Sequence, residues 1–395
     1  MNKKKRELEF DSIAVHSVSE NKSDLNIKSV VPPIYQTSTF EVPNVKTGAE
    51  YANEVHPTEF YTRWGNPTTR ILEKTVSELE YGEDAIATSS GMSAISMAIL
   101  STVKKGDKIV AQKALYGGTE ELLTNVLPQY GIKYELIDAK EINEVKKALT
   151  KDVALFYMET PSNPTMDIID IKECSEIANK NNIPVFVDNT FASPYNQNPI
   201  KRGASIVLHS ATKYLGGHSD IIGGIIVGEK ERVKKAWKTL KIFGPCLSPF
   251  DSWLVLRGIR TLPVRMKQHN KNAMELAEFL SNNKNVSKVN YPGLASKKNK
   301  TVNEQMKGYG GMLSFEMKGG FNQARKFVEN VKLARLAVSL GGVETLVEHP
   351  ASMTHGMLSE ELKKKAGITD GLVRTSVGIE DIKDIINDFD NAIMN

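Results

Sequence analysis

The sequence is poor in cysteine. Its 395 residues include only Cys174 and Cys246, which lie far apart and form no C-x-x-C pattern. A disulfide framework needs several paired cysteines, and structural zinc sites usually need closely spaced ones. The sequence therefore excludes a disulfide-stabilised secreted scaffold and indicates a reducing, cytoplasmic compartment.

Metal-binding spacing is also missing. None of the seven histidines stands in an H-x-x-x-H or H-x-x-E-H pattern. The pair His349 and His355 is six positions apart, which is poor helical geometry for sharing a metal ion. We expect no metal site.

Long apolar runs and a strong charge of one sign are absent too. The runs Ile95–Leu100 and Ile221–Val227 are far shorter than the ~20 residues that cross a bilayer. The formal net charge is +4, from 51 basic and 47 acidic residues, so no nucleic-acid footprint is indicated. The basic cluster at residues 3–6 is followed by glutamates rather than an apolar segment, and we interpret it as a solvated tail, not a signal peptide. We expect neither a membrane nor a nucleic-acid partner.

What is present is an alternation of short β-rich runs with helical ones. The runs predicted as strands are 85–89, 108–112, 133–137, 153–158, 184–188 and 205–209, with a last strand near 223–228 that could be antiparallel. Helical stretches are predicted at 94–103, 119–129, 141–150 and 170–181, and a long one at 253–282. This alternation predicts an α/β fold with a mostly parallel sheet, followed after Pro292 by an α+β region.

In an open parallel sheet, ligands bind at the carboxyl ends of the strands, and four of these ends carry reactive or anion-binding groups. Ser89–Ser93 places a glycine and hydroxyls at a helix N-terminus, which suits phosphate or simply caps the helix. Tyr116 precedes two glycines and could stack on a planar ligand or pack in a turn. Asp188 ends an apolar strand, where a carboxylate needs a cationic partner. Lys213 follows the next strand, in Ser210–Asp220, and could be a nucleophilic amine or a surface lysine.

Together these groups match the needs of pyridoxal 5′-phosphate (PLP). A lysine holds the aldehyde as a Schiff base, and a carboxylate keeps the pyridine nitrogen protonated. An aromatic ring stacks on the cofactor, and a helix N-terminus takes the phosphate. Nearer the C-terminus, Arg374 follows a β-like run and could hold a substrate carboxylate, with Ser339 as a plausible neighbour.

Over essentially its whole length the sequence resembles the Cys/Met-metabolism family of PLP-dependent enzymes, which includes methionine γ-lyase, cystathionine γ-lyase and γ-synthase, and the O-acylhomoserine sulfhydrylases. The motifs that carry the resemblance are P-I-Y-Q-T-S-T at 33–39, Y-T-R-W-G-N-P-T at 61–68, S-S-G-M at 89–92, E-T-P-S-N-P at 159–164, V-D-N-T at 187–190, the Lys213 segment, and V-R-T-S-V-G at 373–378.

The resemblance implies fold type I, the aspartate-aminotransferase-like fold, with a mostly parallel seven-stranded sheet and a smaller α+β C-terminal domain. It implies three parts: an arm at 1–60 that contacts a neighbouring subunit, a PLP-binding domain at 61–260, and a C-terminal domain at 261–395. It also implies a homotetramer built as a dimer of dimers.

The resemblance also implies roles for individual residues. Lys213, Tyr116 and Asp188 would be catalytic, and Tyr116 would also stack on the cofactor ring. The remaining cofactor-binding residues would be Ser89, Gly91, Met92, Asn163, Thr190, Ser210 and Thr212, together with Tyr61 and Arg63, which in the family reach the phosphate of the neighbouring subunit.

Substrate choice is expected to depend on four residues, Ser339, Arg374, Glu121 and Val338. Cystathionine enzymes carry an arginine and a glutamate where this sequence has Glu121 and Val338, and both serve the distal polar end of cystathionine. Their loss disfavours a long zwitterionic substrate. The segment His349–His355 looks closer to methionine γ-lyases, whereas Gly118 replaces their usual cysteine and Gly244–Phe250 resembles sulfhydrylases.

We therefore predict a carbon–sulfur lyase acting on methionine-like thioether amino acids by α,γ-elimination. The alternatives are γ-replacement on an O-acylhomoserine, as in sulfhydrylases or cystathionine γ-synthase, and cystathionine γ-lyase activity. A non-enzymatic binding protein on the same scaffold is disfavoured because both Lys213 and Asp188 are retained.

Overall fold

The computed structural model describes residues 8–16, 29–296, 299–356 and 360–394. Two sheets organise it. The larger contains β1 (Asp84–Thr88), β2 (Lys108–Gln112), β3 (Lys133–Ile137), β4 (Val153–Glu159), β5 (Val185–Asp188), β6 (Ile206–Ser210) and β7 (Gly224–Gly228). The smaller contains β8 (Val286–Asn290), β9 (Met312–Met317), β10 (Arg335–Leu336), β11 (Leu346–Glu348) and β12 (Leu372–Ser376).

Helices surround both sheets. In chain order they are α1 (Phe10–His16), α2 (Val45–Asn53), α3 (Pro67–Glu80), α4 (Gly91–Leu100), α5 (Gly117–Glu121), α6 (Ile142–Ala148), α7 (Ile171–Lys180), α8 (Ser193–Asn196), α9 (Lys230–Phe243), α10 (Pro249–Ile259), α11 (Leu262–Ser281), α12 (Pro292–Ser296), α13 (Lys300–Gln305), α14 (Phe321–Asn330), α15 (Glu360–Lys365) and α16 (Ile382–Met394).

The large sheet has the strand order β1-β7-β6-β5-β4-β2-β3. All neighbouring pairs are parallel except those of β7, which runs antiparallel to both β1 and β6. The prediction of a mostly parallel seven-stranded sheet is thus confirmed.

The central strands are buried on both faces because helices cover each side. In β5, Val185 and Val187 pack into one apolar cluster and Phe186 into another, as the twofold alternation of a strand requires. The carboxyl ends of β4, β5 and β6 are therefore held in place by a packed core. Asp188 and Lys213 project from this part of the molecule.

The long helix predicted at 253–282 is two helices. The structure ends α10 at Ile259 and begins α11 at Leu262. Pro263 stands in the first turn of α11, where its missing N–H is tolerated. In one continuous helix it could not donate to the carbonyl of Ile259, and its ring would clash with that carbonyl. The stretch predicted as helical at 119–129 is also irregular: α5 passes into a π-turn at Leu122–Val126 and a 3₁₀ turn at Leu127–Tyr130.

The described start of the N-terminal segment lies against its own chain. Ala14 of α1 is fully buried, and Phe10 packs edge-on against Tyr195 with ring centres 5.5 Å apart. Lys267 pairs with Asp11 at 3.1 Å. Within the described ranges, no helix is long and apolar enough to cross a membrane, and no cluster of three or more His, Cys, Asp or Glu side chains could hold a metal ion.

Candidate active site

A cavity of about 430 Å³ opens at the carboxyl ends of β4, β5 and β6. This volume suits a small organic ligand with a small substrate. Most of the residues singled out in the sequence line it: Gly91, Met92, Tyr116, Asn163, Asp188, Thr190, Ser210, Thr212, Lys213, Val338, Ser339 and Arg374.

Lys213 follows β6, three residues after its end, and reaches into the cavity. Its Nζ donates a hydrogen bond to Ser339 Oγ at 2.6 Å. Burial, reinforced by the positive charge of Arg374, lowers the pKa of Lys213 from 10.5 to about 8. At pH 7 roughly a tenth of this amine is therefore neutral and nucleophilic, far more than of a solvated lysine.

The loop that carries Ser339 can reach Lys213 because of a glycine. Gly341 adopts a φ of 77°, and a Cβ there would lie 2.7 Å from the backbone nitrogen of Tyr214. Any larger residue would push the loop away from the lysine. Ser339 itself has a φ of 85°, a strained value for a residue with a side chain.

Asp188 ends β5 and is buried in the cavity floor. Burial raises the pKa of its carboxyl, and the Thr190 amide, which donates to Oδ1 at 3.0 Å, acts in the opposite direction. Among the described residues, Asp188 makes no ion pair. A buried carboxylate that faces a cavity and has no ion-pair partner is suited to a cationic N–H group on the ligand.

A second buried polar network lies close to Asp188, and the sequence did not reveal it. His209 Nε2 lies 2.6 Å from Glu80 Oε1, and both side chains are almost fully buried. Asn189 donates to the same Glu80 oxygen at 2.7 Å. The charge of His209 also lowers the pKa of Asp188, against the effect of burial. His209, which Glu80 holds in place, therefore contributes to the electrostatics of the floor without lining the cavity.

The N-terminus of α4 forms the end of the cavity suited to an anion. Ser90 caps the helix by accepting from the Ser93 amide at 3.0 Å, and first-turn amides such as those of Gly91 and Met92 have no intrahelical partner. A Cβ on Gly91 would lie 2.8 Å from Ser210 Cβ, so only glycine allows this close approach. The Ser210 amide is in turn held by Thr190 Oγ1 at 2.9 Å.

Tyr116 stands at the N-terminus of α5, with its side chain partly exposed at the cavity mouth. Its amide donates to Glu159 Oε2 at 2.9 Å, and the other oxygen of Glu159 accepts from the Asn163 amide at 3.2 Å. Burial and the nearby Asp188 raise the pKa of Glu159 well above its usual value. Glu159 thus ties the tyrosine turn to the Asn163 loop.

Arg374 enters the cavity from β12 in the small sheet. Its Nη1 donates to Asn163 Oδ1 at 3.1 Å and its Nη2 to the Ser339 carbonyl at 2.8 Å. Its Nε lies 3.1 Å from Glu348 Oε1. The guanidinium is thereby held in one orientation, facing the same space as Lys213.

Glu159 and Glu348 were missing from the site predicted from sequence. Glu159 ends a buried strand just as Asp188 does, so the rule that identified Asp188 could have identified it. Glu348 ends β11, a strand of only three residues. Nothing in its local sequence distinguishes it from an exposed glutamate.

Four of the residues singled out in the sequence lie outside this chain's cavity. Tyr61 and Arg63 pack on each other, with the guanidinium carbon 5.2 Å from the ring centre, and Arg63 donates to the Lys241 carbonyl. Ser89 contacts the Ser93 hydroxyl at 3.1 Å. Glu121 is exposed and accepts from Asn125 at 2.9 Å. The roles expected for these residues stay predictions.

The remaining residues fit PLP. The cavity offers a lysine with a depressed pKa, a buried carboxylate without an ion-pair partner, and a glycine-lined helix N-terminus next to Ser210. These are the groups that an aldehyde, a pyridine nitrogen and a phosphate require. Fold and site together define a PLP-dependent enzyme of fold type I.

Comparison with known proteins identifies the family. Residues 11–394 match the family described as Cys/Met metabolism PLP-dependent enzyme. The chain is 45% identical to L-methionine gamma-lyase of Fusobacterium nucleatum subsp. polymorphum over 365 residues, covering 91% of this chain and 92% of that protein. It is 45% identical to cystathionine beta-lyase of Lactococcus lactis subsp. cremoris over 373 residues, 94% and 96% of the two chains.

Solved structures agree. The structure of cystathionine gamma synthase from Xanthomonas oryzae pv. oryzae matches with a TM-score of 0.92 and 36% identity, over 98% of both chains. The chain therefore belongs to the Cys/Met-metabolism family of PLP-dependent enzymes, and PLP is its cofactor. The resemblance inferred from the motifs, the fold type and the cofactor are all confirmed.

Proposed function

We propose that this enzyme is a carbon–sulfur lyase that cleaves methionine-like thioether amino acids by α,γ-elimination. The products are a thiol, ammonia and a 2-oxo acid. One observation carries the proposal. Among the described lining residues, the charged ones lie in the shielded inner part of the cavity, whereas the solvent-exposed outer wall is apolar.

The charged lining residues are Glu159, Asp188, Lys213 and Arg374. The outer wall presents Ile222, which is 64% exposed, and Val338, which is 53% exposed. Methionine ends in an apolar methylthio group that suits such a wall. Cystathionine ends in a second charged amino acid, which would find no ionic partner among the described residues of this outer wall.

Bound PLP supplies an electron sink that stabilises negative charge on the substrate carbons. The protein supplies the proton transfers. In this proposal Lys213, with its depressed pKa, removes the proton from the substrate α-carbon and returns protons during the later steps. Tyr116, at the cavity mouth, donates a proton to the departing sulfur.

Arg374 is proposed to bind the substrate α-carboxylate. Its contacts with Asn163 and the Ser339 carbonyl fix the plane of the guanidinium, and that pre-orientation favours bidentate carboxylate binding. Ser339 would then link the carboxylate site to Lys213 through its hydrogen bond to the lysine. For Ser89 and Glu121, which lie outside the cavity, we propose no more than an indirect role.

The second candidate is γ-replacement on an O-acylhomoserine, with cystathionine cleavage as a third. The similarity to a cystathionine beta-lyase and to a cystathionine gamma synthase structure favours keeping both. Gly118 also departs from the methionine γ-lyase pattern: a Cβ there would lie 2.7 Å from the Tyr116 ring and 2.9 Å from Met92 Sδ. A cysteine at this position would displace the tyrosine.

The experiment is a substrate panel on the purified holoenzyme. Methionine, cystathionine, cysteine and O-acetylhomoserine with sulfide would be compared by kcat/KM, with products identified by mass spectrometry. We expect methionine to give methanethiol and 2-oxobutanoate with the highest kcat/KM. Absence of both products from methionine would contradict the proposal, and homocysteine from O-acetylhomoserine as the main product would establish the second candidate.

We further propose that the active unit is a dimer within a homotetramer, in which Tyr61 and Arg63 bind the cofactor phosphate of the neighbouring subunit. Both residues lie outside their own cavity, and Arg63 contacts Lys241, which is followed by two exposed apolar side chains, Ile242 at 76% and Phe243 at 66%. Sedimentation velocity tests the assembly.

Subunit mixing tests the shared site. Arg63→Ala and Lys213→Ala subunits, each inactive alone, would be unfolded, mixed equally and refolded. Random pairing should restore about a quarter of the wild-type sites, because half of the dimers are mixed and each carries one intact site. If Arg63 served its own cavity, mixing would restore nothing.

Two finer assignments accompany this proposal. We propose the division into 1–60, 61–260 and 261–395, because all strands of the large sheet fall within the second part and all strands of the small sheet within the third. We also propose a cytoplasmic location, because Cys174 and Cys246 are both free. Limited proteolysis and cell fractionation would test these assignments.

A further inference from the structure

Glu348 and Arg374 form a buried pair inside the cavity region. They are directly opposite in the antiparallel pairing of β11 with β12, and they are 1% and 3% exposed. Glu348 Oε1 lies 3.1 Å from Arg374 Nε and accepts from the Thr354 hydroxyl at 2.8 Å. Glu348 Oε2 is buried and, among the described residues, has no hydrogen-bond partner.

The charges that face Glu348 come from several elements. Arg374 of β12 is closest, and Lys213 after β6 also acts on Glu348 electrostatically. His349, its neighbour on the chain, also acts on Glu348 electrostatically, and the two ring nitrogens of His349 contact Ser352 and the Asp370 carbonyl, each at 2.8 Å. Beyond Thr354 lies His355, whose pKa burial lowers to about 4, so that it is neutral near neutral pH.

Arg374 already lies near two buried carboxyl groups. Glu348 and Glu159 both act on it electrostatically. Burial and the nearby Asp188 raise the pKa of Glu159 well above its usual value, which favours its neutral form, so a substrate carboxylate would be repelled mainly by Glu348 in this region shielded from water. Like charges at close range raise one another's proton affinity.

We propose that Glu348 is the resident counter-ion of Arg374 and takes up one proton from solvent when a substrate carboxylate binds that arginine. The proton is placed on Oε2, the oxygen without a partner. This inference rests on the carboxylate-binding role of Arg374 in the proposed function. Burial already raises the pKa of Glu348, with Arg374 opposing, and the repulsion from a substrate carboxylate would raise it further.

The consequence is that substrate binding becomes pH-dependent through a residue that makes no bond to the reacting atoms. Glu348 is a positioning residue in this sense. Where uptake amounts to one full proton, affinity for the carboxylate weakens about tenfold for each unit of rising pH.

The test uses 4-(methylthio)butanoate, which is methionine without its amino group. It carries the carboxylate and the thioether but cannot react with the cofactor aldehyde. Isothermal titration calorimetry of the holoenzyme, repeated in buffers of different ionisation enthalpy, counts the protons taken up on binding. The visible absorbance of the cofactor, followed in the same titration, reports any protonation of the cofactor itself.

Three variants separate the outcomes. Glu348→Gln keeps the shape and removes the charge, Arg374→Gln removes the carboxylate site, and Glu278→Gln changes an exposed glutamate on α11 as the matched control. We expect proton uptake in the wild type and in Glu278→Gln. In Glu348→Gln we expect tighter binding with little uptake and a nearly flat pH profile.

The measurements distinguish failure of the role of Glu348 from failure of the role of Arg374. Equal proton uptake in Glu348→Gln and the wild type, or none in the wild type, would overturn the role of Glu348 and leave that of Arg374 intact. Binding to Arg374→Gln with wild-type affinity would overturn the carboxylate role of Arg374, and the inference about Glu348 with it.

Discussion

The floor and the rim of the cavity are built differently. On the floor, Asp188, Lys213 and Arg374 are largely shielded from solvent. Asp188 accepts from the Thr190 amide just beyond β5, Lys213 donates to Ser339, and Arg374 donates to Asn163. At the rim, Ile222 and Val338 project into solvent. Buried, multiply bonded groups have one arrangement, whereas exposed side chains can be exchanged without disturbing the core. We therefore expect the floor to determine the type of chemistry and the rim to influence the choice of substrate.

Replacement of the lysine is the strongest test of the floor. In Lys213→Ala, turnover should fall by at least about a thousandfold, because the amine that handles the substrate protons is gone. The fold should persist, and the cofactor should still bind without a covalent link. The checks are kcat with methionine, circular dichroism and equilibrium dialysis of PLP, with Lys235→Ala as the exposed-lysine control. Full activity in Lys213→Ala would refute the assignment.

Asp188→Asn should have the next largest effect. An amide is nearly the same shape but cannot carry the negative charge that stabilises a protonated nitrogen on the ligand, so we expect kcat to fall by roughly a hundredfold or more. The cofactor's visible absorbance should also change with pH differently from the wild type. A normal kcat with an unchanged spectrum would show that Asp188 does not face the cofactor nitrogen.

The pKa of Lys213 leads to a prediction for the apoenzyme. Since burial lowers this pKa from 10.5 to about 8, the amine is protonated and unreactive below that pH and neutral above it. The rate at which Lys213 attaches PLP should rise about tenfold per pH unit on the acid side and level off above about pH 8. Borohydride trapping followed by peptide mass spectrometry measures it. A rate that keeps rising beyond pH 10, as for a solvated lysine, would contradict the depressed value.

The floor was largely predictable from the sequence, since its residues sit at strand ends inside short contiguous motifs. Asp188, the Ser89–Ser93 turn and Lys213 each follow an apolar run, and parallel strands bring such ends together. The position of Pro263 would also have allowed the break between α10 and α11 to be predicted, had the proline been weighed above the helical period.

The sequence could not reveal contacts between side chains that lie far apart along the chain and meet only in the folded structure. Glu80 and His209 are 129 positions apart, and no local pattern links them. Glu348 meets Arg374 only because β11 and β12 are neighbours in the small sheet.

A substitution at the rim should have the smallest effect on kcat/KM and should change the relative preference for the two substrates most clearly. Val338→Glu restores the acidic side chain that cystathionine enzymes carry at this position, and the side chain is half exposed, so the fold should not suffer. We expect kcat/KM for methionine to fall several-fold and that for cystathionine to rise by a similar factor, because an exposed ionic contact contributes about 1 kcal/mol or less. Val338→Gln, which is similar in size but uncharged, is the control. Equal changes in both variants would mean that side-chain bulk, rather than charge at the rim, distinguishes the two substrates.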